Sequence, residues 1–329
     1  MQTTTTPARS RVQSIMRGES IQRLLALGAL VILLAFFSIV VPHFASTDNY
    51  RDILTATAVN GVLATGVTFA IITGGIDLSV GTGMTFTSVV MGIVSVNLGF
   101  PLWLGLIAAL AAGGLVGAIN GVLIAKGKLP PFIATLGMLY VTLGMAQVLS
   151  DVHPIYFTNP QPALYDVFMG KAILGIPNIV PVMFGAAIIA WILLNKTILG
   201  RYTFALGSNE EATRLSGVNV DRWKIIVYVV DGLFVGLAGI IIASRMSSAQ
   251  PGLGQGYELD AIAAAVIGGT SLSGGEGSIV GTIIGALLIS TLRTGLSVAS
   301  VPQQWQYVIT GLVVIGAVYL DILRRRSRA

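Results

Sequence analysis

The sequence predicts an all-α membrane protein with about ten transmembrane helices, a weak internal repeat and two glycine-rich breaks. Of 329 residues, 54% are hydrophobic and only 10% are charged, whereas a globular domain carries about 25% charged residues. Long apolar runs recur along the whole chain. The same six-residue glycine pattern interrupts them twice, at Gly74–Ser79 and at Gly268–Ser273.

The helices follow from apolar runs close to the roughly 17–25 residues that cross a bilayer. The eighth run is too short to span alone and borrows from the glycine-rich stretch after it. The predicted spans are 24–41, 58–73, 81–98, 102–124, 131–149, 181–195, 225–244, 259–267, 279–298 and 303–323.

Lys and Arg residues set the predicted orientation, because they are retained on the cytoplasmic side. They concentrate in the tail 1–23, the loop 126–128, the loop 196–223 and the basic tail 324–329. We therefore predict a transmembrane permease domain at 24–323 with both termini and the loop 196–223 in the cytoplasm.

Composition excludes several function classes. The chain has no cysteine, hence neither disulfides nor a Cys-ligated metal site, and its two histidines, His43 and His153, are far apart. The net charge of +5 comes without a basic aromatic patch, so no nucleic acid is expected as a partner. No catalytic constellation or metal site is predicted, so the chain itself is not expected to be an enzyme.

The loop 196–223 contains a short helix whose ends are marked in the sequence. Ser208 and Glu211 have capping-box spacing, and Gly217 suits the left-handed position that ends a helix. The two-turn helix Asn209–Ser216 would present charged side chains to another protein. The residues predicted to make that contact are Ser208, Asn209, Glu210, Glu211, Arg214 and Gly217.

The two glycine-rich breaks repeat at a constant offset, with GGIDLS at Gly74–Ser79 and GGTSLS at Gly268–Ser273. Internal repeats and Gly-interrupted segments are typical of transporters, where they mark the pathway at the repeat interface. The span count puts both breaks near the cytoplasmic side. A break within the membrane is the alternative, tolerated only where protein or water satisfies the backbone.

Polar residues inside spans are costly in lipid and favour protein interiors or wet cavities. Asp77 is either a pathway residue or the N-cap of the third span. Glu258 and Asp260 suit the start of the eighth span, Asp231 suits helix packing, and Arg293 is expected to pair with one of the acids. The predicted translocation residues are Asn60, Phe69, Gly74, Gly75, Asp77, Ser79, Asn120, Gln147, Gly268, Gly269 and Ser271.

Other polar and aromatic residues could line the same pathway. Thr135 offers a hydroxyl, and Phe132, like Phe69, could offer a flat face for stacking a solute. The alternative for the amide and hydroxyl side chains is hydrogen bonding between helices, and for the aromatic rings it is packing.

LSGGE at Leu272–Glu276 differs by one residue from a nucleotide-binding signature of ABC ATPases. No P-loop exists in the chain, because Gly127-Lys128 is followed by Leu129 where Ser or Thr is needed. The glycines more plausibly allow close helix packing or a re-entrant turn.

Several segments together resemble the permease subunit of ribose-type sugar ABC importers. They are GGIDLSVG, NGVLIAKGKLPPFIATLGM (Asn120–Met138), Gly200–Val220, SSAQPG (Ser247–Gly252) and Gly256–Ala286. Glu211, Ala212 and Gly217 also resemble the EAA loop of ABC permeases, although Thr213 departs from its second alanine.

The resemblance implies a multi-pass subunit of the bacterial inner membrane that works as a homodimer or paired permease. It implies a cytoplasmic ABC ATPase with two nucleotide-binding domains, which holds ATP and Mg, and a periplasmic sugar-binding protein. This chain itself binds no cofactor in that scheme.

The expected substrate is a monosaccharide, most plainly ribose or a related pentose. Another sugar or autoinducer-2 stays open. The alternative from another class is an ion-coupled secondary transporter with Asp77 as its coupling site.

Overall fold

A computed structural model describes residues 8–157, 167–170 and 175–326, and the described chain is built almost entirely from helices. The predicted tails fall partly outside it, at residues 1–7 and 327–329. The helices are α1 (Ala8–Val40), α2 (Thr47–Ile72), α3 (Val80–Gly92), α4 (Leu102–Ala125), α5 (Pro131–Leu149), α6 (Ile179–Lys196), α7 (Ile198–Ser208), α8 (Glu210–Leu215), α9 (Val220–Met246), α10 (Tyr257–Ile267), α11 (Ile279–Val298) and α12 (Gln303–Arg326).

Eight helical stretches of the described chain are long and apolar enough to cross a membrane, among them α3 with its π-helical continuation Ile93–Asn97. The other two predicted spans correspond to α10 and α12. The eleven residues of α10 rise only about 16 Å, roughly half of a bilayer core. This agrees with the prediction that the eighth segment does not span alone.

Two helices begin well before the apolar runs that predicted them. α1 begins at Ala8 rather than Leu24, and α2 begins at Thr47 rather than Ala58. Ser46 caps α2 by accepting a hydrogen bond from the backbone N–H of Asn49 at 3.2 Å. Such extensions are polar in sequence, so hydropathy alone does not detect them.

The core lies around α2, which is buried along most of its length and packs against α6, α9, α10 and α11. α4 and α9 approach each other through glycines, in the way that small residues allow between membrane helices. A Cβ added at Gly113 would lie 2.2 Å from the carbonyl oxygen of Gly232, and one at Gly117 would lie 2.0 Å from that of Tyr228. These two positions therefore admit no side chain.

A two-residue strand pair closes the end of the bundle opposite α8. β1 (Ile155–Tyr156) and β2 (Ser248–Ala249) pair antiparallel, directly after the last turn of α9. Ile155 packs on Gly92, at the end of α3. The pair fixes the loop that leads from α9 into α10.

The starts of α3 and α10 lie against each other inside the bundle. A Cβ at Gly254 would lie 2.1 Å from the carbonyl oxygen of Gly81, and one at Gly81 would lie 2.4 Å from Glu258 Oε2. The other end of α10, at Gly268, lies about 16 Å from this contact. The contact is therefore well inside the part of the protein that spans the membrane. The first break therefore leads from the end of α2 toward the bundle interior, and does not lie wholly at the surface as the span count implied.

Candidate coupling helix and translocation elements

The short helix predicted in the loop 196–223 is α8, but its N-cap is Asn209 rather than Ser208. Asn209 has extended dihedral angles, and its Oδ1 accepts a hydrogen bond from the backbone N–H of Ala212 at 2.9 Å. Ser208 is instead the last residue of α7, so the predicted Ser208–Glu211 capping box is wrong by one residue. Gly217 takes φ +82°, the left-handed conformation expected after this helix.

Ion pairs anchor α8 to its neighbours. Glu210 accepts from Lys224 Nζ at 2.6 Å and from Arg214 Nη2 at 3.2 Å. Arg214 also reaches Asp221 at 3.4 Å, and Asp221 accepts from Lys128 at 3.0 Å. α8 is thereby tied to the start of α9 and to the loop after α4. The i,i+4 spacing of Glu210 and Arg214 is a sequence signal for that pair. The spacing of the pairs that involve Lys224, Asp221 and Lys128 gives no such signal.

The network alters the titration of its two carboxyl groups. Partial burial raises the pKa of Glu210, but the hydrogen bond and charge of Lys224, together with Arg214, outweigh it and leave that pKa below its ordinary value. The hydrogen bond from Lys128 is the main cause that lowers the pKa of Asp221. Both groups are therefore ionised at neutral pH, which keeps the anchoring pairs charged.

The outward side of α8 is free of these pairs. Leu215 is 82% exposed, and Glu211, four residues earlier on the same side of the helix, is also exposed. Leu215 and Glu211 are therefore accessible to another protein. We call Glu211 and Leu215 the outward face of α8.

α7 connects α8 to both glycine-rich breaks at one junction. The backbone N–H of Gly275 donates to the carbonyl oxygen of Ile72, the last residue of α2, at 2.8 Å. A Cβ at Gly207 would lie 1.7 Å from that oxygen and 2.5 Å from Gly275 N. A Cβ at Gly274 would lie 2.9 Å from Gly74 N. The residues Ile72, Gly74, Gly207, Gly274 and Gly275 form what we call the glycine junction.

The two breaks use the same turn to end a helix. Gly74 (φ +79°) donates to Ile71 while Gly75 donates to Ala70, which is a Schellman motif at the end of α2. Gly269 (φ +101°) and Thr270 donate to Val266 and Ala265 in the same pattern at the end of α10. The left-handed residue is the first glycine of GGIDLS but the second glycine of GGTSLS. The structural repeat is therefore shifted by one residue from the sequence match.

Asp77 holds the first break in place. Its Oδ1 accepts from the backbone N–H of Ser79 at 2.7 Å and from its hydroxyl at 2.6 Å, while its Oδ2 accepts from Asn120 Nδ2 at 3.1 Å. Thr135 donates to the carbonyl oxygen of Ile76 at 2.9 Å. The predicted residues Asp77, Ser79 and Asn120 are thus brought together, and they fasten the break to α4 and α5.

Asp231 and Tyr228 of α9 face the same region and are buried. A Cβ at Gly66 would lie 2.7 Å from Asp231 Oδ1, and one at Gly75 would lie 2.3 Å from the Tyr228 hydroxyl. In the described chain neither carboxylate oxygen of Asp231 has a hydrogen-bond partner. Asp231 lies where α9 meets α2, in line with the packing role predicted for it.

The remaining predicted pathway residues are dispersed. Phe69 is fully buried, with its ring centroid 6.3 Å from that of Phe234. Gln147 lies near the end of α5, Gly268 packs against Gly281, and Ser271 Oγ accepts from the backbone N–H of Ser273. They do not form one site with Asp77 in the described structure of this chain.

Asn60 lines a separate polar cavity of about 240 Å³ between α2, α9, α10, α11 and α12. Arg293 Nη2 donates to Asp260 Oδ1 across it at 2.8 Å, which identifies the acid that Arg293 pairs with. Sequence reasoning missed the polar lining residues contributed by four different helices, because their proximity depends on helix packing. They are Arg245, Tyr257, Ser290, Thr294, Ser297 and Gln306.

The spanning helices, the two glycine-rich breaks and the charged helix α8 belong to a multi-pass helical membrane permease. The family described as the branched-chain amino acid transport system / permease component matches residues 49–318, and the chain belongs to this family.

Its curated relatives include sugar permeases. The chain is 45% identical to the ribose import permease protein of Escherichia coli K12 over 294 residues, 89% of this chain and 91% of the relative. It is 44% identical to the ribose import permease protein of Bacillus subtilis 168, over 91% of each chain. It is 39% identical to the fructose import permease protein of Rhizobium meliloti, over 90% of this chain and 84% of the relative. No solved structure matches the chain.

Proposed function

We propose that this chain is the pore-forming subunit of an ATP-driven ABC importer for a monosaccharide, most plainly ribose or a related pentose. The relatives named above support the solute class, since two of them are ribose import permeases and one is a fructose import permease. Fructose import by a relative keeps another monosaccharide open. ATP and Mg belong to a separate ATPase subunit in this scheme.

The observation that carries the proposal is the anchored helix α8 with its exposed outward face. A firmly held helix transmits force, because ion pairs on one side couple it to α9 and to the loop after α4. Its exposed side offers Glu211 and Leu215 to a groove on the ATPase. α7 then leads from α8 to the glycine junction without an intervening loop.

In the proposed cycle, a loaded sugar-binding protein docks on the periplasmic end, near β1 and β2. ATP binding closes the ATPase dimer and moves α8. The movement passes through α7 to Gly207, which abuts Ile72 and Gly275. It thus reaches both glycine-rich breaks together. A driven change of state requires contacts that differ between the two states, and the glycine junction is where we expect that difference.

The proposed setting is the bacterial inner membrane, with two permease copies forming the pore and with both termini and α8 in the cytoplasm. The positions of Lys and Arg support this orientation. For the ion-coupled alternative, Asp77 is a weak coupling site because both of its oxygens are already engaged by Ser79 and Asn120.

The test removes the outward face of α8 and leaves its anchors intact. We expect the double variant Glu211→Lys and Leu215→Asp to abolish ATP-dependent D-ribose uptake by the complex in proteoliposomes, because it places wrong charges in the ATPase groove. The subunit should still insert and dimerise. A Lys196→Glu control, which reverses an exposed charge at the end of α6, should retain uptake and ATPase binding. Normal uptake by the double variant would refute the assignment of α8.

A further inference from the structure

The polar cavity lies in the half of the bundle away from α8. Asn60 precedes the end of α2 by 12 residues and Arg293 follows the start of α11 by 14, which places them about 18 Å and 21 Å from the helix ends near the glycine junction. Arg245 is in the last turn of α9 and Gln306 in the first turn of α12. The cavity is therefore in the outer half of a bilayer about 30 Å thick.

The lining offers hydrogen-bonding groups of both kinds. Arg293 uses one nitrogen for Asp260, which leaves other N–H groups of its guanidinium for a solute. Arg245 is half-buried beside Tyr257 and forms no ion pair within the described chain. The charged, amide and aromatic residues at the cavity are Asn60, Arg245, Tyr257, Asp260, Arg293 and Gln306, and α11 adds the hydroxyls of Ser290, Thr294 and Ser297.

Asn60, like Asp231, is buried without a hydrogen-bond partner among the described residues, and Asn60 is the one of these two that lines the cavity. It is 4% exposed, and within the described part of the chain neither atom of its side-chain amide has a hydrogen-bond partner. A buried amide without partners destabilises a fold, and native proteins rarely keep one without a use. Located in the cavity wall, Asn60 can both donate to and accept from a hydroxyl-bearing solute.

We propose that this cavity is a monosaccharide-binding site within the single permease chain, at which the solute pauses after leaving the binding protein. The inference rests on the proposed function and adds that the permease itself selects its solute. Asp260 and Arg293 present a carboxylate and a guanidinium side by side, a pair suited to adjacent sugar hydroxyls. Asn60 hydrogen-bonds a third hydroxyl, and Tyr257 forms an aromatic wall of the site.

Size and charge favour a small neutral polyol. The volume of about 240 Å³ is slightly below the roughly 300–1,000 Å³ of sites for drug-sized ligands. Asp260 neutralises Arg293 and would repel an anionic solute that approaches the same guanidinium. Binding must also be weak, since a translocated solute has to leave its site.

The direct test is D-ribose binding to the full-length permease in lipid nanodiscs, without ATPase or binding protein, measured by calorimetry. We expect weak saturable binding, and we expect Asn60→Leu to reduce affinity at least about tenfold. The thermal midpoint of that variant should stay level or rise, because leucine removes an unpartnered buried amide. A purely structural asparagine would instead lower the midpoint. Asn195→Leu makes the same substitution at an exposed position near the end of α6, outside the cavity, and should bind D-ribose normally.

The outcomes separate this inference from the proposed function. Absence of D-ribose binding by the lone permease, together with ATP-driven ribose import by the complete complex, would overturn the cavity site and leave the importer intact. Binding that Asn60→Leu does not weaken would also overturn it, as would preferential binding of ribose 5-phosphate. Cavity binding without any import by the complex would support the site and refute the importer for ribose.

Discussion

The glycine junction gives the sharpest prediction, for the variant Gly207→Ala. The added Cβ would lie 1.7 Å from the carbonyl oxygen of Ile72 and 2.5 Å from Gly275 N, so it must push α7 away or break the hydrogen bond between those two groups. Overpacking costs about 1–3 kcal/mol and the lost hydrogen bond about 0.5–1.5 kcal/mol. If both effects operate, the free energy of unfolding should fall by roughly 1.5–4.5 kcal/mol.

The assay is D-ribose uptake per ATP hydrolysed by the reconstituted complex. Gly207→Ala should still bind the ATPase through α8 and support hydrolysis, but uptake per ATP should fall because the movement no longer reaches the breaks. Gly137→Ala is the matched control, since a Cβ at Gly137 meets nothing within 4 Å. Wild-type uptake per ATP by Gly207→Ala would refute the role of the junction.

Two further perturbations test the anchoring of these elements. Asp77→Ala leaves the Ser79 N–H and the Asn120 amide without an acceptor. It should therefore lower the free energy of unfolding by about 2–5 kcal/mol, which a lower thermal midpoint would show. An unchanged midpoint would contradict the role of Asp77 in holding the break in place. The folded-state pKa of Glu210 is below its ordinary value of 4.5, so its pairing with Lys224 contributes stability above that pH and loses it as the pH falls through the lowered pKa. Spin labels on α8 and at the start of α9, in this cysteine-free chain, should separate in acid below the ordinary pKa of 4.5 and not between pH 6 and 8.

The helical membrane fold could be predicted because a helix that crosses lipid needs a long run of apolar residues, which the sequence shows directly. Apolar runs located most spans to within a few residues, for example 131–149 for α5 and 279–298 for α11. The breaks were visible because a left-handed turn needs glycine, as Gly74 and Gly269 show. The polar beginnings of α1 and α2 were missed, since helix propensity without apolar residues gives no hydropathy signal.

The contacts between helices could not be read from the sequence. Ser208 and Asn209 are both good N-caps, and the choice between them depends on α7 continuing to Ser208 against the glycine junction. Arg293 could have paired with any nearby acid until helix packing brought it to Asp260. Phe69 looked available for a sugar, but α9 covers it with Phe234.

The most direct test of the account compares this chain alone with the complete complex. Proteoliposomes with permease, ATPase and loaded binding protein should concentrate D-ribose when ATP is supplied. The permease by itself, under a proton or sodium gradient, should concentrate nothing. Uphill accumulation by the isolated chain would contradict the claim that α8 receives its drive from another subunit.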